Sequence, residues 1–324
     1  MRVAIDVSPL RQTRAGTARH LRGLLPELER LVDVEPLWWG GSRKAATIAR
    51  DVWWYPLALS RRARSSDVLH CPSFRGPVRS RVPLVATAHD LAVLRRPDAF
   101  NRWTRTYSRV FVPRVIRAAA RVIAVSEFTK REVVELLGVP EERVRVVPNG
   151  VGPPFVANGD RAGGEYVLVV GTVEPRKNLP RLARATRAAG LELRVAGSRG
   201  WGDVSVNGDG VRFLGFVPDE ELASLYRGAL CVAYPSLYEG FGIPVLEALA
   251  CGAPVVTSAG TAMAEVADGA AVLVDPTDPD AIAAGIGEAI ARCDELAPLG
   301  PTRAASFTWR AAAEATVDVY GELA

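Results

Sequence analysis

Twice along this 324-residue chain, short β-branched runs alternate with stretches of helical periodicity, and a proline- and glycine-rich segment separates the two series. The first series reads RVAIDV from Arg2, VEPLWW from Val34, DVLHC from Asp67, PLVATAHD from Pro83, RVIAVS from Arg121 and RVRVVP from Arg143. The second reads YVLVVG from Tyr166, LELRVAG from Leu191, VRFLG from Val211, LCVAYP from Leu230, PVVTS from Pro254 and AVLVD from Ala271. Between the first two runs, Leu21, Leu24, Leu25, Leu28 and Leu31 recur at helical spacing, and further helices are expected over 178–189 and 219–227. Strands that alternate with helices pair in parallel and need helices on both faces of the sheet, so the fold class is α/β with two doubly wound, Rossmann-like domains. Such sheets hold ligands outside the carboxyl ends of their strands. If the two crevices face each other, the site is a cleft between the domains. The segment Pro148 to Pro154, followed by the polar, glycine-rich stretch Asn158 to Glu165, places the boundary at 160, giving domains 1–160 and 161–305 with a tail of 306–324.

Composition narrows the function. Hydrophobic content of 48% and charged content of 23% are globular values, and no apolar run is long enough to span a bilayer. Asp6 interrupts any signal-like apolar core at the N-terminus, which implies an unprocessed, cytoplasmic chain. Four scattered cysteines (Cys71, Cys231, Cys251, Cys293) form no metal or disulfide pattern and read as buried free thiols. Residues 1–157 carry 27 Lys+Arg against 14 Asp+Glu, whereas 158–324 carry 13 against 22. A basic N-terminal half suits an anionic partner, either an anionic membrane face or a lipid-linked diphosphate, or else it is a solvated arginine-rich surface. Nucleic acid is disfavoured, because the arginines are dispersed without interleaved stacking aromatics.

The chemistry concentrates in the second half. In EGFGIPVLE, residues 239–247, Gly240 and Gly242 let the backbone approach a ligand, Pro244 suits the first position of a helix, and Gly252 ends that helix. Glu239 and Glu247 therefore bracket a helix N-terminus whose free N–H groups favour an anion. A sugar nucleotide offers that combination, a diphosphate flanked by a sugar and a ribose. In GTVEPRKNL, residues 171–179, Arg176 and Lys177 sit at a strand's carboxyl end beside a second helix start. A forked guanidinium and a mobile ammonium together suit a diphosphate and the negative charge that grows on it as a glycosidic bond breaks. A pyridoxal phosphate Schiff base on Lys177 is the alternative, disfavoured by the adjacent Arg176. A hydrolase's carboxylate pair is the alternative for Glu239 and Glu247, disfavoured by the basic pair.

EGFGIPVLEALACGAPVV together with GTVEPRKN resembles the signature of the retaining glycosyltransferases of family 4, which have the GT-B fold. The resemblance implies that Glu239 contacts the transferred sugar, that Glu247 binds the nucleotide ribose, and that Arg176 and Lys177 hold the diphosphate. It extends to Gly240, Phe241 and Gly242 around the first glutamate. In FLGFVP, backbone groups of Phe216 and Val217 would read the nucleotide base. Gly16, in RAGTAR, resembles the family's glycine-loop position, though the doubled glycine of many relatives is missing and an ordinary βα turn reads equally well. His89 and Asp90, at the end of PLVATAHD, match a position near the reacting carbon, where His89 would orient the donor sugar and Asp90 would accept the acceptor's proton. A capping aspartate with a packed histidine is the plainer alternative. Ser126 resembles the start of the family's S-x-x-[ST]-K helix and is itself a good N-cap. The tail from Phe307 resembles the closing helix that crosses back to the N-terminal domain.

The implied activity is metal-independent transfer of a hexosyl group, with retention, from a nucleoside-diphosphate sugar to a glycan or lipid-linked acceptor. No cofactor is implied beyond that donor. The likeness to bacterial mannosyl- and rhamnosyltransferases of polysaccharide assembly implies GDP-mannose. A sugar-nucleotide epimerase of the same fold and a non-catalytic membrane-docking module are the rival readings. Trp38, Trp39, Trp53 and Trp54 could pack, stack on acceptor sugars or meet a membrane interface.

Overall fold

A computed structural model describes residues 1–12, 16–41, 44–97, 100, 102–200, 206 and 210–324. All twelve runs read as strands are strands: β1 (Arg2–Asp6), β2 (Asp33–Leu37), β3 (Val68–Cys71), β4 (Leu84–Ala88), β5 (Arg121–Ala124), β6 (Val144–Val146), β7 (Tyr166–Val170), β8 (Glu192–Ala196), β9 (Val211–Gly215), β10 (Cys231–Tyr234), β11 (Val255–Ser258) and β12 (Val272–Val274). They form two six-stranded sheets, ordered β2-β1-β3-β4-β5-β6 and β12-β11-β10-β7-β8-β9. Every strand pair within them is parallel.

The chain divides into two compact units, one of residues 1–150 and 309–324, the other of 151–308. Residues 151–160, assigned to the first domain on composition, belong to the second unit. There Arg227 donates to the carbonyls of Asp160 (2.7 Å) and Val156 (3.1 Å), and Gly228 leaves room for the Ala162 backbone.

In the first unit, β3, β4 and β5 are buried along nearly their whole length, which is why they read as unbroken apolar runs. Helix Trp309–Gly321 covers part of this sheet: Ala312, Ala313, Val319 and Tyr320 share a core with Val3, Ile5, Val68 and Val85. It packs beside helix Gly16–Leu28, where Gly23 gives way to the Trp309 indole. Tyr320 Oη meets His70 Nδ1 at 2.6 Å, and Glu322 pairs with Arg121 (2.5 Å) and Arg145 (2.8 Å).

In the second unit, strand order β9-β8-β7-β10-β11-β12 reverses direction between β7 and β10. That reversal is the topological switch point, where a doubly wound sheet leaves a crevice at its strands' carboxyl ends. The segments that follow β7 and β10 are the two motif-bearing ones.

Of the four cysteines, Cys71, Cys231 and Cys251 are buried, but Cys293 is exposed. It opens helix Cys293–Ala304 on that helix's outer side, a position that apolar neighbours in sequence do not reveal. Among the described residues no helix is long and apolar enough to cross a membrane, and no cluster of His, Cys, Asp and Glu has the arrangement of a metal site.

Candidate active site

After β7 the chain makes a single 3-10 turn (Pro175–Lys177) and enters helix Leu179–Ala188 through Asn178, which adopts a left-handed conformation at φ +60°. Asn178 holds the loops together: its amide donates to the carbonyls of Pro235 (3.0 Å) and Pro276 (2.6 Å). The Leu237 amide donates to the Arg176 carbonyl at 2.8 Å, and Ser258 Oγ donates to Ser236 O at 2.6 Å. Residues some sixty positions apart in the chain are thereby fixed in one register.

The consequence is a charge cluster. Glu239 Oε2 accepts from Arg176 Nη1 at 2.6 Å, and its Oε1 accepts from Lys177 Nζ at 2.5 Å. Glu174 Oε1 pairs with Arg176 Nε at 2.6 Å. Tyr234, the last residue of β10, places its hydroxyl between Lys177, from which it accepts, and Glu239 Oε1 at 3.4 Å. Glu239 is 7% exposed and Lys177 8%, so these charges meet in a low dielectric. Burial pushes the Glu239 carboxyl up, but the adjacent Arg176 and Lys177 outweigh it and hold its pKa at about 2. Burial lowers the Lys177 ammonium, an effect that Glu239 opposes. Burial, reinforced by Glu239, raises the Tyr234 phenol, which stays protonated.

Gly242 caps helix Ile243–Ala250 at φ +97°, and a Cβ there would meet the Met263 side chain at 2.7 Å. Pro244 lies in the helix's first turn as expected, and Glu247, 2% exposed, accepts from Tyr226 Oη at 3.1 Å. Gly240 lies between the two glutamate-bearing segments, and the Phe241 ring packs edge-on to Phe307 with centroids 6.0 Å apart. Phe241 thus serves the core with its side chain and leaves only its backbone for a ligand. Phe216 is exposed and Val217 buried, between β9 and helix Asp219–Gly228.

The first-unit candidates sit in everyday surroundings. His89 Nε2 lies 3.0 Å from the Pro72 carbonyl, and its ring meets His20 edge-on at 4.8 Å. Asp90 Oδ1 accepts from the Ala92 amide at 3.0 Å, a local bond two residues along the chain, just before the short helix Ala92–Arg95. His20 and His70, given no role on sequence, are buried against Asn149 and against Tyr320 and Thr87. Gly16 begins helix Gly16–Leu28 at φ +25° with open space where a Cβ would stand, while Arg14 and Ala15 of the same loop lie outside the described residues. Ser126 accepts from the Thr129 amide at 3.0 Å and caps helix Glu127–Leu137.

Sequence reasoning missed four contributors: Glu174, Asn178, Tyr226 and Tyr234. Glu174 and Asn178 flank the basic pair in the same motif. The tyrosines carried no signal, since a tyrosine in an apolar strand or helix reads as core.

The chain is similar to known proteins along most of its length. Residues 155–297 match the family model "Glycosyl transferases group 1", and residues 15–153 match "Glycosyltransferase Family 4". O-antigen chain mannosyltransferase B of Escherichia coli is 32% identical over 281 residues, covering 78% of this chain and 74% of that protein. The chain belongs to the group 1, family 4 glycosyltransferases. This glycosyltransferase is also 29% identical over 339 residues to the MMP alpha-(1->4)-mannosyltransferase of Mycolicibacterium hassiacum, covering 91% of the chain and 80% of that relative. The solved structure of HepE from Anabaena in complex with UDP-glucose matches over all of both chains, with a TM-score of 0.74 at 18% identity. The paired six-stranded parallel sheets and this likeness make the fold of the glycosyltransferase GT-B.

Proposed function

We propose that this glycosyltransferase moves a hexosyl group, mannosyl by preference, from a nucleoside-diphosphate sugar to a carbohydrate or lipid-linked acceptor, retaining the anomeric configuration. The observation that carries the reading is the convergence of Arg176, Lys177 and Glu239 at the switch point beside two helix starts. Two fixed cations can take up the charge that develops on a departing diphosphate, the task a divalent metal performs elsewhere, so transfer proceeds without one. Glu239 faces the sugar hydroxyls and Glu247 the ribose, with Gly240 and Gly242 allowing close backbone approach and Phe216 and Val217 lining the base. Mannose as the transferred sugar is supported by the two mannosyltransferase relatives, and GDP as its carrier comes from the family resemblance of the motifs.

His89 and Asp90 enter this reading through the family resemblance: His89 to orient the donor sugar, Asp90 to take the acceptor's proton, and Gly16 to approach the phosphates. The membrane is proposed as the place of the acceptor. Val52, Trp53 and Leu57 are exposed along one helical stretch, followed at once by exposed Arg61 and Arg62. Apolar anchors beside cations suit an anionic bilayer surface.

The test is transfer from GDP-mannose and its competitors to a polyprenyl-diphosphate-linked glycan, with and without EDTA, and with the product's anomeric coupling read by NMR. The expected product keeps the donor's configuration, and its rate of formation is unchanged by EDTA. An inverted product or loss of activity in EDTA overturns the mechanism. Interconversion of the donor without acceptor would replace transfer by epimerisation.

A further inference from the structure

Glu239 satisfies both members of the basic pair at once, one carboxylate oxygen to Arg176 and the other to Lys177. These are the donors that the proposed function gives to the diphosphate. Each cation has further N–H groups, but a diphosphate reaching them would bring its charge against the buried carboxylate that bridges the pair. In this low dielectric, like-charge repulsion favours replacing that carboxylate over binding beside it. We infer that Glu239 holds the diphosphate's place on Arg176 and Lys177 in the donor-free protein and is exchanged out when donor binds, with Tyr234 as the positioning residue that keeps Lys177 aimed through the exchange.

The surrounding contacts suit this exchange. On the far side of the guanidinium, Glu174 holds Arg176 through Nε at 2.6 Å, so Arg176 keeps an anionic neighbour when Glu239 leaves. Lys177 keeps the Tyr234 hydroxyl, and its ammonium lies 4.7 Å from the centroid of the same ring. The displaced carboxylate needs new partners. The hydroxyls of a nucleotide-linked sugar supply them, whereas a nucleoside diphosphate alone does not. The exchange therefore favours intact donor over spent nucleotide and helps the product leave after transfer, because Glu239 returns to the cations.

This inference rests on the donor-site reading, and the experiment separates the two. GDP and UDP, then GDP-mannose and UDP-glucose, are titrated calorimetrically into the full-length wild type, Glu239→Gln, Tyr234→Phe and Lys177→Met. Glu239→Gln removes the competing charge, so the nucleoside diphosphate should bind about tenfold tighter while the advantage of the sugar nucleotide over it collapses. Tyr234→Phe should weaken the nucleotide about three- to tenfold and raise donor KM in step, with kcat within about twofold. A hydroxyl that merely packs would lower Tm and leave nucleotide affinity alone. Unchanged or weaker nucleotide binding in folded Glu239→Gln overturns the exchange. If that variant fails to fold, wild-type affinity and KM in Tyr234→Phe overturn it instead. Undiminished binding in Lys177→Met removes the donor-site reading, and the exchange with it.

Discussion

On the proposed reading, function and stability both turn on Glu239. Its carboxylate is the one proposed to meet the sugar, so Glu239→Ala should lower kcat about a hundredfold or more in a transfer assay, while the fold persists by circular dichroism. Its folded pKa of about 2 lies below the ordinary value of 4.5. A carboxyl depressed on folding contributes stability that is fully present above pH 4.5 and disappears as pH falls toward 2. Asp6 works in the opposite sense. It ends β1 fully buried, with Ser8 Oγ (2.6 Å) and Ser8 N (3.2 Å) donating to Oδ1, and burial raises its pKa from 3.8 to about 6 against those bonds and the opposing effects of Trp54 and Arg50. A raised carboxyl favours the folded state below pH 3.8, and that advantage is lost as pH rises through 6. Denaturant titrations of Asp6→Asn should accordingly show less decline between about pH 4 and 7 than wild type.

At the scale of elements, close backbone approach and caps fix where the motifs end up. The Gly171 amide donates to Ala196 O at 2.9 Å, and the Gly197 amide donates to Gly215 O at 2.7 Å, so the ends of β7, β8 and β9 are tied together. A Cβ on Gly197 would stand 1.9 Å from the Gly171 carbonyl oxygen. Backbone cannot step aside as a side chain can, so Gly197→Ala should cost about 1–3 kcal/mol in denaturant unfolding and raise donor KM by displacing the segment that carries Arg176 and Lys177. Ser126 offers the contrasting case. Ser126→Ala removes the cap of helix Glu127–Leu137 and should cost about 1 kcal/mol by the same measurement, with donor KM unchanged.

Across the whole molecule, the chain's last helix belongs to the unit that its first strand begins. Truncation after Thr308 removes Tyr320 from His70 and Glu322 from Arg121 and Arg145, and uncovers Val3, Ile5 and Val68. Hydrogen exchange should then quicken through β1, β3 and β5 in the truncated protein. Nucleotide added to the full chain should give the reverse signature in the other unit, with protection concentrated at 171–179 and 234–247. Protection spread evenly over the chain, or absent there, would count against the donor site.

The strands, the helix starts after β7 and β10, and the glycosyltransferase motifs were legible from the sequence. Periodicity, glycine, proline and caps are local properties, and a parallel sheet buried on both faces announces itself by apolar runs. Arg176, Lys177, Glu239 and Glu247 could be picked out singly for the same reason: charged residues at strand ends beside helix starts have few structural reasons to be there. Pairing was another matter. Strand order, which no local pattern encodes, set β7 beside β10 and so brought Glu239 onto Arg176 and Lys177. It also gave Tyr226 and Tyr234 polar work that their apolar neighbours concealed, and gave residues 151–160 to the second unit through Arg227. Local chemistry pointed to the proposed ligand class. Which charges neutralise one another in the fold depends on distances between segments some sixty residues apart, and only the packed tertiary structure fixes those.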